Sequence, residues 1–504
     1  MELFKYGIKQ AREFIQANNE HFLALQRALV ERAGTVDKKV NAYVSFSSSK
    51  LPTSLNQLSG GPLHGVPVSL KDNMCTDGWE TTCASNILQG FIPPYDATVI
   101  SKLKDAGAYI FAKCDMDEFA FGSSCETSCY NGRNNRKKKA NASATRNPWN
   151  VDYIPGGSSG GSAACVAADE AVCSLGSDTG GSIRQPAALC GVVGLKPTYG
   201  RVSRYGLVAF GSSLDQIGPF TKTVYDNALL LQVIAGHDPK DSTSAHEPVD
   251  DYLATINKGV KDLRIGIPKE YFRFKIREDM PEKELMGNEG LDYDVELRIR
   301  EAIKVYQNLG AKIVDISLPH TKYAVAVYYI IGTAEASSNL ARFDGVQYGL
   351  RVYADNLREM YFKTRDEGFG DEAKRRILLG TFVLSSGYYD AYYKKAQKVR
   401  TLIKQDFDNA FQQCDVILTP TSPTPAFKIG EKLDDPISMY LSDIFTISAN
   451  LAGIPALSVP CGFSKNGLPI GMQLMGKYFS EATLFQAAHT FESATDHHTK
   501  RPAL

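Results

Sequence analysis

The residues of this chain that are best suited to chemistry are one lysine and two glycine-flanked serines. Lys71 follows an apolar run, Ser158 and Ser182 lie in glycine-rich stretches, and no histidine occurs between Lys71 and Ser182. A serine nucleophile needs a base, and histidine, the usual base, is missing here. A lysine that is desolvated at a strand end can be neutral near pH 7 and take that role. The pattern therefore favours a serine nucleophile served by lysine through the second serine.

The stretch from Asp178 to Arg184 has the composition of an oxyanion hole. Two glycines before a serine at a helix start let the backbone turn tightly and direct successive N–H groups at one point. The predicted donors are the N–H groups of Thr179, Gly180, Gly181 and Ser182. A glycine-rich turn of purely structural value, or a phosphate cradle, is the alternative, although the chain has no G-x-x-x-x-G-K-[ST] motif.

A different serine hydrolase arrangement competes with this one. The segment 156–160 fits G-x-S-x-G, the nucleophile elbow of α/β-hydrolases, which would make Ser158 the nucleophile. That arrangement needs a later acid and a later histidine, for which His489, His497 and His498 are the candidates. The last two lie in a polar tail, and none lies in a convincing loop at a strand end. The lysine-based arrangement is therefore favoured.

Alternating apolar and glycine-rich segments predict an α/β fold that presents these residues at strand ends. A strand at 63–70 delivers Lys71, and the glycine loops 155–161 and 176–181 each open a helix. Residues 2–32 have helical periodicity, and 319–412 is predicted to be a helical insertion in one domain that spans 1–504. The other predicted elements are a helix at 97–106, strands at 108–113 and 171–175, a βαβ unit at 263–268, 295–309 and 311–318, and strands at 416–418, 456–459 and 470–474.

Composition narrows the class of protein. Lysine plus arginine and aspartate plus glutamate both number 56, so the charge balance does not favour direct nucleic-acid binding. Ten cysteines without a C-x-x-C pair indicate reduced thiols and no zinc site. Without an apolar leader or a run of roughly 20 apolar residues, we expect a soluble cytoplasmic protein with no membrane contact. The basic segment 132–146 is interpreted first as a solvated loop and only second as a polyanion contact.

Three motifs carry a family resemblance that runs nearly end to end. The segments 65–73 (GVPVSLKDN), 155–162 (PGGSSGGS) and 176–186 (GSDTGGSIRQP) resemble the amidase signature family. The resemblance implies a large mixed β-sheet flanked by helices. It also implies a catalytic set in which Ser182 is the nucleophile, Ser158 (the cis-serine of the family) is the proton relay and Lys71 is the base, with no metal and no cofactor in this chain.

Further stretches narrow the resemblance to the family members that hydrolyse glutamine for tRNA amidation. These stretches are 209–219, 368–370 with 375–377, 384–390 and 450–455. The resemblance implies that the chain passes ammonia to a partner that amidates activated Glu-tRNA(Gln). ATP and Mg²⁺ would act through a B-type kinase and transamidase subunit, and a small C-type subunit would complete the complex.

Free glutamine needs partners for its α-carboxylate and its α-ammonium group, and an arginine with a carboxylate provides both. The resemblance points to Arg376 and Asp443, with Tyr328 and Ser123 as further pocket residues. Arg375 is the adjacent alternative. A helix-surface charge is the structural alternative for either arginine, and core packing is the alternative for Tyr328. A stand-alone amidase for small amides, or a non-catalytic scaffold, is the competing function.

Overall fold

The computed structural model describes residues 2–130, 144–272 and 290–504. Within these residues, eleven strands form one mixed sheet in the order β1-β3-β2-β4-β6-β5-β10-β11-β9-β7-β8. The strands are β1 Tyr43–Phe46, β2 Pro67–Lys71, β3 Tyr109–Cys114, β4 Cys173–Asp178, β5 Val193–Lys196, β6 Gln216–Thr221, β7 Arg264–Pro268, β8 Lys312–Ile316, β9 Val416–Pro420, β10 Ala456–Phe463 and β11 Pro469–Gly476.

Fifteen α-helices in the described residues flank this sheet. They are α1 Ile8–Ala17, α2 Glu20–Val40, α3 Thr98–Asp105, α4 Gly160–Ala167, α5 Arg184–Cys190, α6 Val224–Ile234, α7 Tyr252–Thr255, α8 Tyr293–Asn308, α9 Ala324–Asn339, α10 Leu357–Gly368, α11 Asp371–Leu384, α12 Lys395–Gln413, α13 Pro436–Tyr440, α14 Ile447–Ala452 and α15 Glu481–Ala494. The prediction of a large mixed sheet flanked by helices is confirmed.

The sheet joins the two halves of the sequence. Strand β2 is parallel to both β3 and β4, whereas β4 pairs antiparallel with β6. Strand β5 pairs antiparallel with β10, so strands from the first and second halves of the chain meet at the centre of the sheet. At the far edge, β7 is parallel to both β8 and β9. Strand β7, helix α8 and strand β8 form the predicted βαβ unit.

The strands around the candidate site are buried along their whole length. Every residue of β2, β3, β4 and β6 is buried. Strands whose two faces are both covered by other layers commonly have apolar runs, yet β4 has the sequence CSLGSD and β6 has QIGPFT, so small and polar residues are buried here too. The buried, neighbouring strands β2 and β4 end at Lys71 and Asp178 and place these two residues at adjacent strand ends.

Several predicted boundaries differ from the structure. The helical opening 2–32 is two helices, α1 and α2, because Asn18 has an extended backbone (φ −162°, ψ 129°). The predicted loop 176–181 starts inside β4, which continues to Asp178. Residues 319–412 contain helices α9, α10 and α11 and nearly all of α12. The basic segment 132–146 lies, up to residue 143, outside the described residues. Among the described residues, no helix has the length and apolar character of a membrane span.

Candidate active site

Lys71 ends β2 inside the molecule and reaches the first glycine loop. Its Nζ lies 2.7 Å from Ser158 Oγ and 3.3 Å from the carbonyl oxygen of Ser177. The side chain is fully buried. Burial lowers the pKa of Lys71 to about 8, although nearby carboxylates, led by Asp117, oppose this shift. A substantial fraction of the amine is therefore neutral near physiological pH, as a base requires.

Ser158 lies between Lys71 and the second glycine loop. The Gly157–Ser158 peptide bond is cis, and the Ser158 carbonyl accepts a hydrogen bond from Asp117 N–H at 3.2 Å. The next residue, Ser159, donates its N–H to the Ser182 carbonyl at 3.2 Å. Through these contacts the two predicted serine loops lie side by side with Lys71 behind Ser158.

The N–H groups of the loop from Thr179 to Ser182 are only partly used by the protein. Gly181 donates its N–H to Asp178 Oδ1 at 2.9 Å. In contrast, the N–H groups of Thr179, Gly180 and Ser182 donate no hydrogen bond to any described part of the chain. Unpaired N–H groups in a buried loop are available to an oxyanion. Of the donors predicted from sequence, Gly181 is thus the one that is already occupied in this structure.

A buried ion pair fixes the shape of this loop. Asp178 binds Arg184 through Nε at 3.0 Å and Nη2 at 2.9 Å, and also accepts from Asn450 Nδ2 at 2.8 Å. Burial alone would raise the pKa of Asp178, but the Arg184 guanidinium holds it at about 2. Arg184 also donates to the carbonyl of Thr446 at 2.9 Å and to Gln473 at 2.6 Å. The loop from Thr179 to Ser182, which carries the predicted nucleophile and is called the nucleophile loop below, is therefore tied to α14 and β11.

Residues from the second half of the chain cover the loop directly. Thr446 Oγ1 donates to the Gly180 carbonyl at 2.6 Å. A methyl group added to Gly180 would lie 2.7 Å from the Tyr328 ring, and one added to Gly181 would collide with Thr446 Oγ1. Small residues are needed here because the covering side chains approach the backbone closely. Tyr328, on α9, thus lies against the predicted oxyanion loop.

Asp443 places a carboxylate beside the loop from Thr179 to Ser182. Ser123 Oγ donates to Asp443 Oδ2 at 2.5 Å, whereas Oδ1 is buried and has no partner in the described residues. A methyl group on Gly181 would lie 3.2 Å from that Oδ1, so the unpaired oxygen faces the nucleophile loop. Burial raises the pKa of Asp443 to about 7. An orphaned buried carboxylate oxygen is costly unless a ligand satisfies it.

Arg376 lies on the inner face of α11 among four aromatic rings. Its guanidinium carbon is 5.2 Å from the Phe121 centroid and 5.6, 5.1 and 5.5 Å from those of Phe210, Tyr329 and Tyr440. Phe210 also contacts Tyr328, with ring centroids 6.3 Å apart. The aromatic cluster therefore connects Arg376 to the oxyanion loop.

Glu372 contacts both neighbouring arginines, Arg375 on the solvent side and Arg376 on the buried side. Arg376 Nε donates to Glu372 Oε1 at 2.8 Å, and Tyr440 donates to the same oxygen at 3.0 Å. Arg375 pairs with Glu372 Oε2 from the solvent side, where its side chain is 46% exposed, against 4% for Arg376. Within the described residues, the terminal nitrogens of Arg376 donate no hydrogen bond. They are available to an anionic group, which Arg375 could not reach from the surface.

The structure thus brings together the residues that the sequence analysis proposed. Lys71 contacts Ser158, and the Ser182 carbonyl accepts the N–H of the adjacent Ser159. Tyr328 and Asp443 lie beside the loop formed by Thr179, Gly180 and Gly181, with Ser123 bound to Asp443 and Arg376 connected to Tyr328 through Phe210. The histidines needed by the nucleophile-elbow alternative lie elsewhere. His489 pairs with Glu492 on α15, and His497 stacks on Phe491. In the described residues, no group of three or more potential ligands is placed to hold a metal.

Sequence reasoning missed several residues that shape this site. They are Asp117, Asp215, Gln185, Glu372, Tyr440 and Thr446. Thr179 donates to Asp215 at 2.6 Å, and Gln185 links the Gly157 N–H to the Ser123 carbonyl. Asp178 and Arg184 stand inside the quoted motif and could have been recognised as an ion pair. Gln185 and Asp215 also lie inside quoted stretches, 176–186 and 209–219, and Glu372 lies one helical turn from Arg376. Asp117, Tyr440 and Thr446 lie outside those stretches, and the partners of Tyr440 and Thr446 are distant in sequence.

Comparison with known proteins agrees with this geometry. The profile of the amidase family matches residues 24–485. An A-type subunit of glutamyl-tRNA(Gln) amidotransferase from Carboxydothermus hydrogenoformans is 56% identical over 513 residues, covering 100% of both chains. A protein of the same name from Halalkalibacterium halodurans is 54% identical, again covering 100% of both.

Two solved structures are similar as well. The protein of the same name from Thermotoga maritima has a TM-score of 0.79 at 44% identity, covering 98% of this chain and 95% of its own. The peptide amidase of Stenotrophomonas maltophilia has a TM-score of 0.76 at 28% identity, covering 96% of each chain. The predicted resemblance is confirmed, and this chain belongs to the amidase family.

Proposed function

We propose that this chain is the glutamine-hydrolysing subunit of a glutamyl-tRNA(Gln) amidotransferase. Two full-length relatives at 56% and 54% identity that are named as A-type subunits of this enzyme support the proposal. The chain would release ammonia from glutamine for use elsewhere in a complex. The lysine, the two serines and the oxyanion loop supply the chemistry, and the pocket beside them selects the amide.

The observation that carries this proposal is that Arg376 and Asp443 each keep an unused charged group near the loop 179–182. Arg376 offers free terminal nitrogens, and Asp443 offers a free, buried Oδ1. Free glutamine carries an α-carboxylate and an α-ammonium group, which match these two partners in charge. Ser123 holds the other Asp443 oxygen, and Tyr328 lies between the pocket and Gly180. A small neutral amide would leave both charges unsatisfied.

Acylation follows from the order of the three catalytic side chains. Neutral Lys71 accepts a proton from Ser158 while Ser158 accepts one from Ser182, and Ser182 Oγ attacks the side-chain carbonyl of glutamine. The resulting oxyanion would be bound by the unpaired N–H groups around Thr179 and Gly180. The proton returns through the same relay to the leaving nitrogen, so ammonia departs and a glutamyl ester on Ser182 remains.

Deacylation uses the same relay in reverse order. A water molecule loses a proton toward Ser158 and Lys71 as it attacks the ester carbonyl. Collapse of the intermediate breaks the bond to Ser182 Oγ, which regains its proton, and glutamate leaves. The net reaction is glutamine plus water to glutamate plus ammonia.

The rest of the amidation would take place on partner subunits. We place ATP and Mg²⁺ on a B-type kinase and transamidase subunit that activates Glu-tRNA(Gln), with a small C-type subunit completing a heterotrimer in the cytoplasm. This chain itself would need no cofactor. The balanced count of 56 basic and 56 acidic residues is consistent with tRNA being bound through the complex and not by this chain alone.

A matched pair of arginine variants tests the pocket. Arg376→Ala should raise the KM for glutamine roughly 100-fold, because a charge-assisted contact worth about 3 kcal/mol is lost. Arg375→Ala, which removes the exposed neighbour on the same glutamate, should change KM by less than about threefold. Ammonia release is measured on the complex of this chain with its partner subunits.

A stand-alone amidase is the second candidate, favoured by the likeness to peptide amidase. That function would use the same lysine and serines but not the arginine. If Arg376→Ala left glutamine hydrolysis unchanged while the isolated chain rapidly cleaved uncharged amides, the glutaminase proposal would be wrong and the amidase function would replace it. A non-catalytic scaffold would instead be indicated if Ser182→Ala left the complex fully active.

A further inference from the structure

Asp117 is a buried carboxylate that lies behind the relay serine and has no role in the proposed mechanism so far. It is fully buried just after β3. Oδ2 accepts from Cys125 N–H at 2.9 Å, and Oδ1 accepts from Thr127 through N–H at 3.2 Å and Oγ1 at 2.9 Å. All three donors are neutral, and the two backbone N–H groups can only donate, so both carboxylate oxygens act as acceptors. Burial raises the pKa of Asp117, whereas these hydrogen bonds and the charge of Lys71 oppose that shift and favour the ionised form.

The same residue touches the peptide that carries Ser158. Asp117 donates its backbone N–H to the Ser158 carbonyl at 3.2 Å. A methyl group added to Gly157 would collide with Asp117 Oδ2, and one added to Gly122 would lie 2.7 Å from the same oxygen. The carboxylate is thus pressed between the relay loop and the loop that leads to Ser123. Its position cannot change without moving one of them.

The leading electrostatic neighbours of Lys71 are Asp117, Cys125, Asp178 and Asp215. The Cys83 thiol also interacts with Lys71, and burial raises the pKa of this thiol, so it stays neutral. Asp178 forms an ion pair with Arg184. Asp215 accepts hydrogen bonds from the Thr179 hydroxyl and from the N–H groups of Phe210 and Gly211. Burial raises the pKa of the Cys125 thiol, so it stays neutral.

Asp117 differs from the other two carboxylates in its neighbours. Its ionised form is favoured by Lys71, the one cation among its leading electrostatic neighbours, and it forms no ion pair with any described residue. Among the four groups it also acts most strongly on Lys71. Asp215 likewise forms no ion pair with a described residue, but the cation among its leading electrostatic neighbours is Arg204, whereas that of Asp117 is Lys71. Asp117 is therefore the carboxylate whose charge acts chiefly on Lys71.

We propose that Asp117 is a positioning residue of the catalytic centre, which holds the relay loop in place and stabilises the ammonium form of Lys71 that each proton transfer produces. The inference rests on the acyl-transfer mechanism proposed above. When Ser182 attacks, its proton passes to Ser158 and the Ser158 proton passes to Lys71. The charge that appears on Lys71 then faces the carboxylate, which lowers the energy of the intermediate without itself taking a proton.

Removing this charge should have two effects of different kinds. A neutral asparagine side chain in place of Asp117 would make Lys71 a weaker base, so the acid limb of the pH profile should move to lower pH by about one unit. The rate on the plateau should also fall, on the order of 100-fold, because the ammonium form is no longer stabilised. A merely structural role would lower the rate without moving the limb.

The test measures how fast a sulfonyl fluoride modifies Ser182 as a function of pH. In that reaction the Ser182 Oγ–sulfur bond forms, fluoride leaves, and the serine proton passes to Lys71 through Ser158. Full-length wild type, Asp117→Asn and Thr127→Val are compared, with Ser182→Ala as the blank. Thr127→Val removes one donor to Asp117 but keeps its charge. No glutamine is used, so this test does not depend on the proposed substrate. A chain that is labelled normally but does not hydrolyse glutamine would contradict the proposed function without affecting the test of Asp117.

The expected result is slower labelling and an acid limb about one pH unit lower for Asp117→Asn, with an unshifted limb for Thr127→Val. If Asp117→Asn fails to fold, Asp117→Ser takes its place, because the smaller side chain leaves room for water at the Cys125 N–H. An unshifted limb in the folded charge-removing variant, or an equal shift in Thr127→Val, would overturn the inference.

Discussion

At the residue scale, the three side chains proposed for catalysis become less buried along the proposed proton path from Lys71 to Ser182. Lys71 and Ser158 are fully buried, whereas Ser182 is 7% exposed. The base is thus shielded from water, which lowers its pKa to about 8. Ser182, the proposed nucleophile, keeps a small exposed surface, which substrate access requires. Burial of the base and access to the nucleophile are both required by a serine–lysine mechanism.

The pKa of Lys71 predicts the pH dependence of turnover. The base acts as the free amine, so kcat for glutamine hydrolysis should fall as the pH decreases through about 8. Asp443, whose pKa burial raises to about 7, must be ionised to bind an ammonium group, so its protonation should raise KM instead. Steady-state rates measured from about pH 6 to about pH 9.5 separate the two limbs. A kcat that is independent of pH over this range would contradict the assignment of Lys71 as the base.

The spacing of the sequence motifs identifies the residues proposed for catalysis, whereas much of the pocket is defined only by tertiary contacts. Lys71, Ser158 and Ser182 were identifiable because glycines and apolar runs surround them. Glu372 could not be distinguished from any other helix-surface acid, since its importance comes from Tyr440, 68 residues away. Nothing in the sequence alone says which of two adjacent arginines points inward.

At the element scale, the turn between α3 and β3 shows how tightly the site-bearing strands are connected. Gly107 follows the last turn of α3 with φ +88°. Its carbonyl accepts from Gly65 N–H at 2.9 Å. A side chain here would collide with the Ser59 carbonyl and lie 2.7 Å from His64 Cα. The glycine thus lets three backbone segments pack together just before β2.

A pair of glycine variants tests this packing. Gly107→Ala should lower the free energy of unfolding by about 3 kcal/mol, from left-handed backbone strain plus displacement of neighbouring backbone. Gly78→Ala has similar strain, with φ +72°, but open space around the new methyl group, and should cost only about 1 kcal/mol. Urea unfolding of both variants measures the difference. Equal losses would mean that the close approach at Gly107 contributes nothing.

Strands with ordinary patterns were predictable, whereas strands that contain turn-like residues were not. The segments around β2, β3, β7, β8 and β9 are apolar and bounded by helices or turns, and each was located to within a few residues. Strand β6 has the sequence Gln216-Ile-Gly-Pro-Phe-Thr221, which local propensity assigns to a loop. It is a strand because β4 and β5 pair with it on either side. Long-range pairing overrode local preference there.

At the scale of the whole molecule, the sheet makes both halves of the chain depend on each other. Leu457 of β10 is paired with Leu195 of β5, and the nucleophile loop is covered by Thr446 and Tyr328 from the second half. The helical segment 319–412 contributes Arg376 and Tyr328 to the site and packs its helices on one another. We therefore propose that 1–504 is one domain, with 319–412 as an integral insertion.

One cooperative unfolding transition is expected for such a molecule. Scanning calorimetry of the purified chain should give a single peak, because separating the halves would expose the buried faces of β5 and β10 together. Two peaks that are resolved in temperature, one of them assigned to 319–412 by limited proteolysis, would contradict the single-domain proposal.

The central claim is that Ser182 carries the acyl group of glutamine, and trapping that ester tests it most directly. The complex is mixed with isotopically labelled glutamine, quenched in acid within one turnover and digested for mass spectrometry. The label should be found as a glutamyl ester on Ser182, and Ser182→Ala should carry none. A label on Ser158, or hydrolysis that continues in Ser182→Ala at the wild-type rate, would contradict the account.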